Sequence, residues 1–412
     1  MTMTPVAALQ IECGETPLEL RRQELQLQYA AKLKASRDNP TKSIMDDCWQ
    51  NYKNYPDGRE TFAMKTKKLS NIIGSCDLIT QNEYSETPFW KQKELKIDNT
   101  LADMINKETD ADETMERLAN DKVLEYRDSI LIYTDASKRT DGRTGVSYRI
   151  PSLHIENRHR FENDASIFTA EAAAILLALK NQNISKTQRD VAIFTDCLEV
   201  TIALKEEIPK TSPCIINQIR HESDQLQRSM KIQICVVWIP GHVGVTNNEQ
   251  VNAGAIRATE QTEVETRHQI STTDAKQTIS KHIDALWQTQ WNDATKGHHY
   301  RSIEPTATRR IKLTDMNRKR EVIKTRLRLG KCCMNSYLKT INRHHDGNCN
   351  TCHVPETIEH YILECRNNVE LFNSVKNSCS KQNIRTDLAE ILKNPETLNI
   401  VTDYIIKSKR LI

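Results

Sequence analysis

The chain has 412 residues, which suggests two or three domains at about 100–200 residues each. Hydrophobic residues make up 38% and charged residues 27%, so a large polar surface or loosely packed flanks are expected. The formal net charge of +3 excludes a histone-like binder, although a local basic face is still possible. No stretch approaches the roughly 18 consecutive apolar residues of a membrane helix. The opening residues lack the basic start of a secretion signal, so an intracellular location, in the cytoplasm or nucleus, is expected.

The first of four predicted segments, residues 1–125, is expected to be polar and largely helical. Thr16-Pro17-Leu18-Glu19 has the capping-box pattern that opens a helix, with proline at the first helical position. This helix should end before Asn39-Pro40, because the residue before a proline avoids the α conformation. Further along, the pattern predicts a loose linker at residues 67–99 and a polar helix at residues 101–123. One apolar face of the first helix is predicted from Leu18, Leu25, Tyr29 and Leu33.

The second segment, residues 126–261, alternates apolar runs of strand length with helical stretches. This order predicts an α/β domain with a partly parallel sheet. The predicted strands are Asp128–Thr134, Gly145–Ile150, His154–Glu162, Val191–Thr195 and Ile232–Ile239. The predicted helices are Ala165–Leu179, Leu198–Glu207, Pro213–Met230 and Asn248–Thr259.

Three acidic side chains lie where such a sheet usually places an active site. Asp135 follows the first predicted strand and Asp196 follows the fourth, so both are expected at the carboxyl ends of neighbouring strands. Glu171 lies in the first turns of a helix that can cross both strands. Converging carboxylates repel one another unless protons or divalent cations neutralise them, and oxygen ligands favour Mg²⁺ or Mn²⁺. Taken singly, each acid is better explained as an ordinary strand end or helix cap, and only the joint pattern is specific.

The turn after the last predicted strand carries the most specific motif, WIPGHVG at Trp238–Gly244, with NEQVNA following at Asn248–Ala253. With this motif, the chain resembles the ribonuclease H domain of non-LTR (LINE-type) retrotransposon polyproteins. The resemblance implies a ribonuclease H-like, five-stranded mixed sheet flanked by helices, and hydrolysis of the RNA strand of an RNA–DNA hybrid. The stretches that match, in the family's order and spacing, are IYTDASK (Ile132–Lys138), SIFTAEAAAILLAL (Ser166–Leu179), IFTDCLEVTIAL (Ile193–Leu204) and WIPGHVGVTNNEQVNAGA (Trp238–Ala255).

The resemblance also implies roles for individual residues and a set of partners. Asp135, Glu171 and Asp196 are expected to ligate two Mg²⁺ ions, with Asp135 bridging them. His242 is expected to assist proton transfer or product release, a task that suits imidazole because it exchanges protons near neutral pH. The expected partner is an RNA–DNA hybrid, with RNA or single-stranded nucleic acid as a second candidate. No membrane is expected, and the sequence does not specify protein partners.

Two positions depart from the family pattern. Asn252 stands where the family has a fourth carboxylate, so it can offer an amide oxygen but no charge. The resemblance assigns that acid to the ion that activates water, so weaker metal binding and reduced hydrolysis are predicted. Glu249, one helical turn earlier, is a candidate for partial substitution, although the family carries a glutamate there too. Ala136 replaces a usual glycine, a mild change unless the backbone there needs a positive φ.

A second constellation, near the C-terminus, has the pattern C-x2-C-x7-H-x4-C and consists of Cys349, Cys352, His360 and Cys365. Twelve cysteines in a chain without an export signal indicate reduced thiols or metal ligands rather than disulfides. Two thiolates at this spacing can hold one ion from a tight turn, and the later pair would complete a structural Zn²⁺ site. His353 is an alternative fourth ligand. Cys332 and Cys333 are expected to be buried thiols.

The last two predicted segments are a basic helical linker at residues 262–340 and a zinc-knuckle module with C-terminal helices at residues 341–412. Thr325–Ile341 and Cys349–Cys365 resemble the segment after the ribonuclease domain of the same retrotransposon family, and Thr4–Leu25 resembles the stretch before it. A run of basic residues in the linker indicates either phosphate contacts or a solvated helix face. Its members are Arg309, Arg310, Lys312, Arg318, Lys319, Arg320, Lys324, Arg326, Arg328 and Lys331.

Three hypotheses about function follow from these patterns. The first is a hybrid-specific endoribonuclease from a truncated retroelement, which the three acids and His242 favour. The second is a catalytically weak retroelement relic that binds nucleic acid through its zinc and basic region. Asn252 and the lack of a polymerase sequence in this chain favour it. The third is a transcribed pseudogene fragment without a selected role.

Overall fold

The computed structural model describes residues 4–36, 39–51, 61–73, 91–106, 109–186, 188–208, 213–264, 270–309 and 317–410. The chain divides into two compact units. We call Glu24–Ser280 the central unit, and Met1–Gln23 together with Lys281–Ile412 the split unit. No helix in the described ranges is long and apolar enough to cross a membrane.

Four helices make up the described part of the N-terminal region: α1 (Val6–Cys13), α2 (Leu18–Ala35), α3 (Pro40–Asn51) and α4 (Phe62–Ile73). The predicted start and end of α2 are confirmed. Its predicted apolar face is wrong, because Leu18, Leu25 and Tyr29 are exposed. Packing instead buries a neighbouring face that includes an acidic residue, consisting of Leu20, Glu24, Leu27, Ala30 and Ala31.

One mixed sheet forms the centre of the central unit. Its strands are β1 (Lys96–Asp98), β2 (Ile130–Lys138), β3 (Thr144–Ile150), β4 (Ile155–Phe161), β5 (Val191–Thr195) and β6 (Ile234–Trp238). Their order is β1-β6-β5-β2-β3-β4, with β3 antiparallel to both its neighbours and the other pairs parallel. The described residues therefore give a six-stranded sheet, where five strands were expected. The extra strand is β1, which lies in the predicted linker at residues 67–99; residues 74–90 of that stretch lie outside the described ranges.

The side chains of β2, β5 and β6 point alternately to the two faces of the sheet, and both faces are apolar. Ile132, Ile193 and Val236 belong to the core on one face. The residue that follows each of them, Tyr133, Phe194 and Val237, belongs to the core on the other face. Successive side chains of a strand point to opposite faces, so nearly unbroken apolar strands become covered on both sides.

Helices cover both faces of this sheet. They are α5 (Thr100–Met104), α6 (Asp112–Glu125), α7 (Ile167–Leu179), α8 (Leu198–Lys205), α9 (Pro213–Met230) and α10 (Thr246–Glu260). The first part of α11 (Thr272–Asp293) belongs to the same unit. The helix predicted at residues 101–123 is two helices, because a turn in which the Asp110 N–H donates to the Asn106 carbonyl interrupts it. The architecture is a mixed α/β fold of the ribonuclease H type, as predicted.

The split unit is helical and has a core of its own. Beyond α1 and the rest of α11, it contains α12 (His298–Ile303), α13 (Arg318–Arg328), α14 (Asn335–Thr340), a π-helical turn (His360–Glu364), α15 (Val369–Gln382), α16 (Leu388–Lys393) and α17 (Pro395–Lys407). Its core joins helices on both sides of the cysteine-rich segment, with Ile323, Leu327, Val375, Val401 and Ile405 all buried. The predicted polar linker and knuckle therefore share one apolar core.

Candidate active site and metal sites

Asp135 and Asp196 lie level with each other on neighbouring strands. β2 and β5 are parallel, and Tyr133 pairs with Phe194, so the residues two positions further on share the same register. Asp196 directly follows β5, as predicted. Asp135 does not follow its strand, because β2 continues past it to Lys138 and pairs there with β3. The site therefore opens at the middle of β2, where β5 has already ended.

Glu171 reaches the same place from the first turns of α7. Ser166 caps this helix, its hydroxyl accepting the Thr169 N–H at 3.2 Å. The buried Ala136 N–H lies between the acids: it is 2.8 Å from Asp135 Oδ1 and 3.1 Å from Glu171 Oε1. Ala136 belongs to the extended strand β2 and has no positive φ, so this position does not need the glycine that the family usually has.

The three acids converge as predicted. Asp135, Glu171 and Asp196 each place a carboxylate oxygen within 4.8 Å of the others. Asp135 is 4% and Glu171 5% exposed. Asp135 Oδ2 and Glu171 Oε2 are buried and reach no N–H or O–H donor among the described residues. Burial without donors is costly for a carboxylate, so these oxygens need a proton or a cation.

The raised pKa values of the acids also indicate that the cluster needs a proton or a cation. Burial, reinforced by the charge of Asp196, raises the pKa of Asp135 to about 8. Burial and the charges of Asp135 and Asp196 raise the pKa of Glu171 well above its usual range. An oxygen-only set of converging acids with donor-free oxygens fits a hard divalent cation such as Mg²⁺ or Mn²⁺.

The loop after β6 closes over Asp196. The Trp238 indole N–H donates to the Asp196 carbonyl at 3.0 Å. A Cβ atom on Gly241 would lie 2.2 Å from Asp196 Oδ2, so only glycine fits beside this carboxylate. This contact was not predicted from the sequence, although the P-G-H turn of the motif includes Gly241.

His242 and Asn252 lie close to each other at this loop. His242 is exposed, with a left-handed backbone at φ 62°. Asn252 Nδ2, on α10, is 3.5 Å from His242 Nδ1. Glu249, one turn before Asn252, contributes its charge to the raised pKa of Asp135. The structure thus places Gly241 beside Asp196, and the Asn252 amide beside His242.

The four predicted zinc ligands also converge. Cys349, Cys352, His360 and Cys365 have ligand atoms within 4.8 Å of one another. The sulfurs of Cys349 and Cys365 are 3.8 Å apart. Two thiolates bound tetrahedrally at about 2.3 Å from one Zn²⁺ would be separated by about 3.8 Å. Nδ1 of the buried His360 lies 3.4 Å from Glu364 Oε2, and Nε2 has no hydrogen-bond partner among the described residues, which suits a ligand atom.

Backbone N–H groups in the turn between Cys349 and Cys352 stabilise the ionised form of Cys349. Burial alone would raise the pKa of Cys349, but the N–H groups of Cys352 and Thr351 outweigh it and lower the pKa to about 7. His353, the alternative ligand, is exposed and lies outside the four-residue cluster; its N–H donates to the Cys349 carbonyl at 2.9 Å. The geometry therefore favours His360 over His353 as the fourth ligand.

Two further predictions about the split unit need correction. Cys332 is buried as expected, but Cys333 is only half-buried. Within the basic run, Arg328 and Lys324 are buried, so they are not part of a solvent-facing surface. Arg309 is 2.7 Å from Asp284, and Arg320 pairs with Asp403. The run's exposed members in the described ranges include Arg318, Lys319 and Arg326; Arg310 and Lys312 lie outside those ranges.

Strands β2–β6 and the buried acid cluster lie in one part of the chain, and that part resembles a known family. The RNase H family model matches residues 127–260, about a third of the chain. A crystallised RNase H1 from the halophilic archaeon Halobacterium salinarum NRC-1 is 19% identical over 32% of this chain and 98% of its own, with a TM-score of 0.26. No curated protein matches the chain.

Proposed function

We propose that the chain hydrolyses the RNA strand of RNA–DNA hybrids endonucleolytically. The observation that carries this proposal is the convergence of Asp135, Glu171 and Asp196 within 4.8 Å, inside the segment that matches the RNase H family. Two donor-free buried oxygens in the cluster support a role in cation binding rather than a purely structural one.

In this proposal, Asp135, Glu171 and Asp196 would hold two Mg²⁺ ions, with Mn²⁺ as the alternative metal. The bound ions would activate the attacking water and stabilise the leaving oxygen of the phosphodiester. The Ala136 N–H fixes one oxygen of Asp135 and one of Glu171, which leaves the other oxygen of each for the cations. The exposed His242 can move a proton to or from the substrate or the departing product at the rim of the site.

Asn252 is proposed to weaken this activity. Its amide lies 3.5 Å from His242 and brings no negative charge to the second cation. A carboxylate there would add charge to the site and could stabilise a protonated imidazole. We therefore expect slower cleavage than an aspartate would allow, with Glu249 compensating only in part.

The deciding experiment is cleavage of a labelled RNA–DNA hybrid by the full chain in Mg²⁺ and in Mn²⁺. Wild type should cleave the RNA strand, and Asp135→Asn should be inactive. Asn252→Asp should increase the rate by about 10-fold or more, the scale of one charged group at a metal site. A wild-type chain without cleavage in either metal would refute the proposal, and an unchanged Asn252→Asp rate would refute the role of Asn252.

A structural Zn²⁺ ion is proposed for the cysteine cluster. Co²⁺ bound by the chain should show the absorption bands of tetrahedral cobalt with thiolate ligands. His360→Ala should weaken these bands and lower metal affinity by about 10-fold or more, whereas the control His353→Ala should behave as wild type. Loss of the bands in the His353 variant alone would assign the fourth ligand to His353 instead.

A second candidate function is nucleic-acid binding by a catalytically weak retroelement relic, through the zinc module and the exposed basic residues. Asn252 is the observation that favours it. Salt-sensitive binding of hybrid or single-stranded RNA without cleavage would support this alternative. The origin of the chain in a retrotransposon polyprotein is part of both proposals.

A further inference from the structure

Helix α7 carries Glu171 into the acid cluster, so the placement of its first turn controls the placement of that carboxylate. Glu171 is two residues after Thr169 and five after the cap residue Ser166. A helix start leaves N–H groups without partners inside the helix, and those groups need acceptors from elsewhere. Acceptors from outside the helix must therefore hold the start of α7 in place.

One buried carboxylate does so. Asp274 is 0% exposed and lies in the first turn of α11. Its Oδ1 accepts the Ser166 N–H at 3.0 Å, and its Oδ2 accepts the Thr169 hydroxyl at 2.8 Å. One donor is the backbone of the cap residue itself, and the other is a side chain in the first turn of α7.

The same carboxylate also closes the start of its own helix. Ser271 Oγ accepts the Asp274 N–H at 3.0 Å, while Asp274 Oδ2 accepts the Ser271 N–H at 3.2 Å and its hydroxyl at 2.8 Å. This is a reciprocal capping box, and its sequence is Ser271-Thr272-Thr273-Asp274. One side chain therefore joins two helix starts, where the helix dipoles favour a negative charge.

We propose that Asp274 is a positioning residue for the metal-binding carboxylate of Glu171. This inference rests on the proposed function, since it assigns Glu171 to the cations. It extends the working site beyond residues 127–260, because Asp274 lies outside the segment that matches the RNase H family. Metal binding would then depend on a helix start that the family pattern does not include.

The test measures Mn²⁺ binding by calorimetry on the full, zinc-loaded chain, together with hybrid cleavage. Asp274→Asn replaces one acceptor oxygen with a donor that faces donors of α7 or α11. Mn²⁺ affinity should fall about 10-fold, as for other groups that orient metal ligands. Thr169→Val removes the hydroxyl that donates to Asp274 and accepts from the Ser166 hydroxyl, but it keeps the carboxylate of Asp274. It should act in the same direction with a smaller loss.

Ser280→Ala is the matched control, since Ser280 lies on the same helix and bonds Glu24 at 2.8 Å instead of α7. It should lower the melting temperature without changing Mn²⁺ affinity. Wild-type affinity in Asp274→Asn would overturn the inference, and if that variant does not fold, wild-type affinity in Thr169→Val would overturn it. A wild type that binds Mn²⁺ but cleaves no hybrid would refute the proposed function alone. A wild type that binds no Mn²⁺ beyond its zinc site would refute both.

Discussion

At the scale of single residues, Gly241 shows how little space the site leaves. The Cβ of any other residue would lie 2.2 Å from Asp196 Oδ2 and 3.0 Å from its Cγ. The first distance is shorter than real Cβ contacts and the second is tighter than most of them, so the carboxylate or the loop would have to move. Gly241 has no positive φ, and it is therefore required for space and not for backbone conformation.

We expect Gly241→Ala to displace the Asp196 carboxylate from the acid cluster. Mn²⁺ affinity and hybrid cleavage should fall by about 10- to 100-fold, the range seen when a metal ligand loses its orientation. Gly142→Ala is the control, because the added Cβ would lie 4.0 Å from the Asn163 carbonyl, an ordinary contact, and its cost is backbone strain at φ 92°. It should lower the melting temperature and leave metal affinity unchanged. Equal metal affinity in the two variants would contradict this role of Gly241.

The acids of the site could be predicted from the sequence, but the contacts that hold them could not. Asp196 follows an apolar strand and Glu171 lies in the first turns of an alanine-rich helix, and the resemblance to the ribonuclease H family joins them into one predicted site. The Ala136 N–H that lies between Asp135 and Glu171 joins residues 35 positions apart. Such contacts depend on how the helix crosses the sheet, and no local pattern encodes that crossing.

At the scale of elements, the long buried segments were predictable and the short edge strand was not. The predicted bounds of β5 and α9 match the structure because an apolar run and an amphipathic repeat are strong local patterns. β1 has only three residues, Lys96–Asp98, and no apolar alternation. It exists because it pairs with β6, about 140 residues later in the chain.

Asp98 anchors this strand through its carboxylate. It accepts the Thr100 N–H at 3.0 Å, the Thr100 hydroxyl at 2.7 Å and the Tyr126 hydroxyl at 2.8 Å, and it lies 3.3 Å from Lys122. Burial opposes ionisation, but these donors and the lysine outweigh it and lower the pKa of Asp98 to about 2. The ionised carboxylate therefore stabilises the folded chain.

The sign of the pH dependence follows from this lowered pKa. The contribution of Asp98 should be complete above about pH 4 and should be lost as pH falls through about 2. Urea unfolding should show Asp98→Asn destabilised by about 1 kcal/mol at neutral pH, with the difference from wild type shrinking below pH 4. The exposed Asp103→Asn is the control and should show little difference at any pH. A difference that grows toward low pH would contradict the argument.

At the scale of the whole molecule, the split unit is assembled from both ends of the sequence. Glu12 of α1 is 1% exposed and Arg328 of α13 is 6% exposed. Arg328 Nε lies 3.0 Å from Glu12 Oε2, and its Nη2 lies 2.8 Å from Glu304 Oε1. The Tyr300 hydroxyl also donates to Glu12. Sequence reasoning assigned Arg328 to a basic run and Glu12 to a separate segment, because the two are 316 positions apart.

Removing Glu12 should therefore destabilise the zinc-bearing unit from the far end of the chain. Among the described residues, Glu12→Ala leaves the buried Arg328 with Glu304 as its remaining carboxylate partner, at a cost of about 3 kcal/mol. Zinc release in urea, followed with the chelator pyridylazoresorcinol, should shift to lower urea in this variant. Glu15→Ala, an exposed acid of the same segment, should release zinc as wild type does. Identical release curves for Glu12→Ala and wild type would show that the zinc site is held without the N-terminal helix.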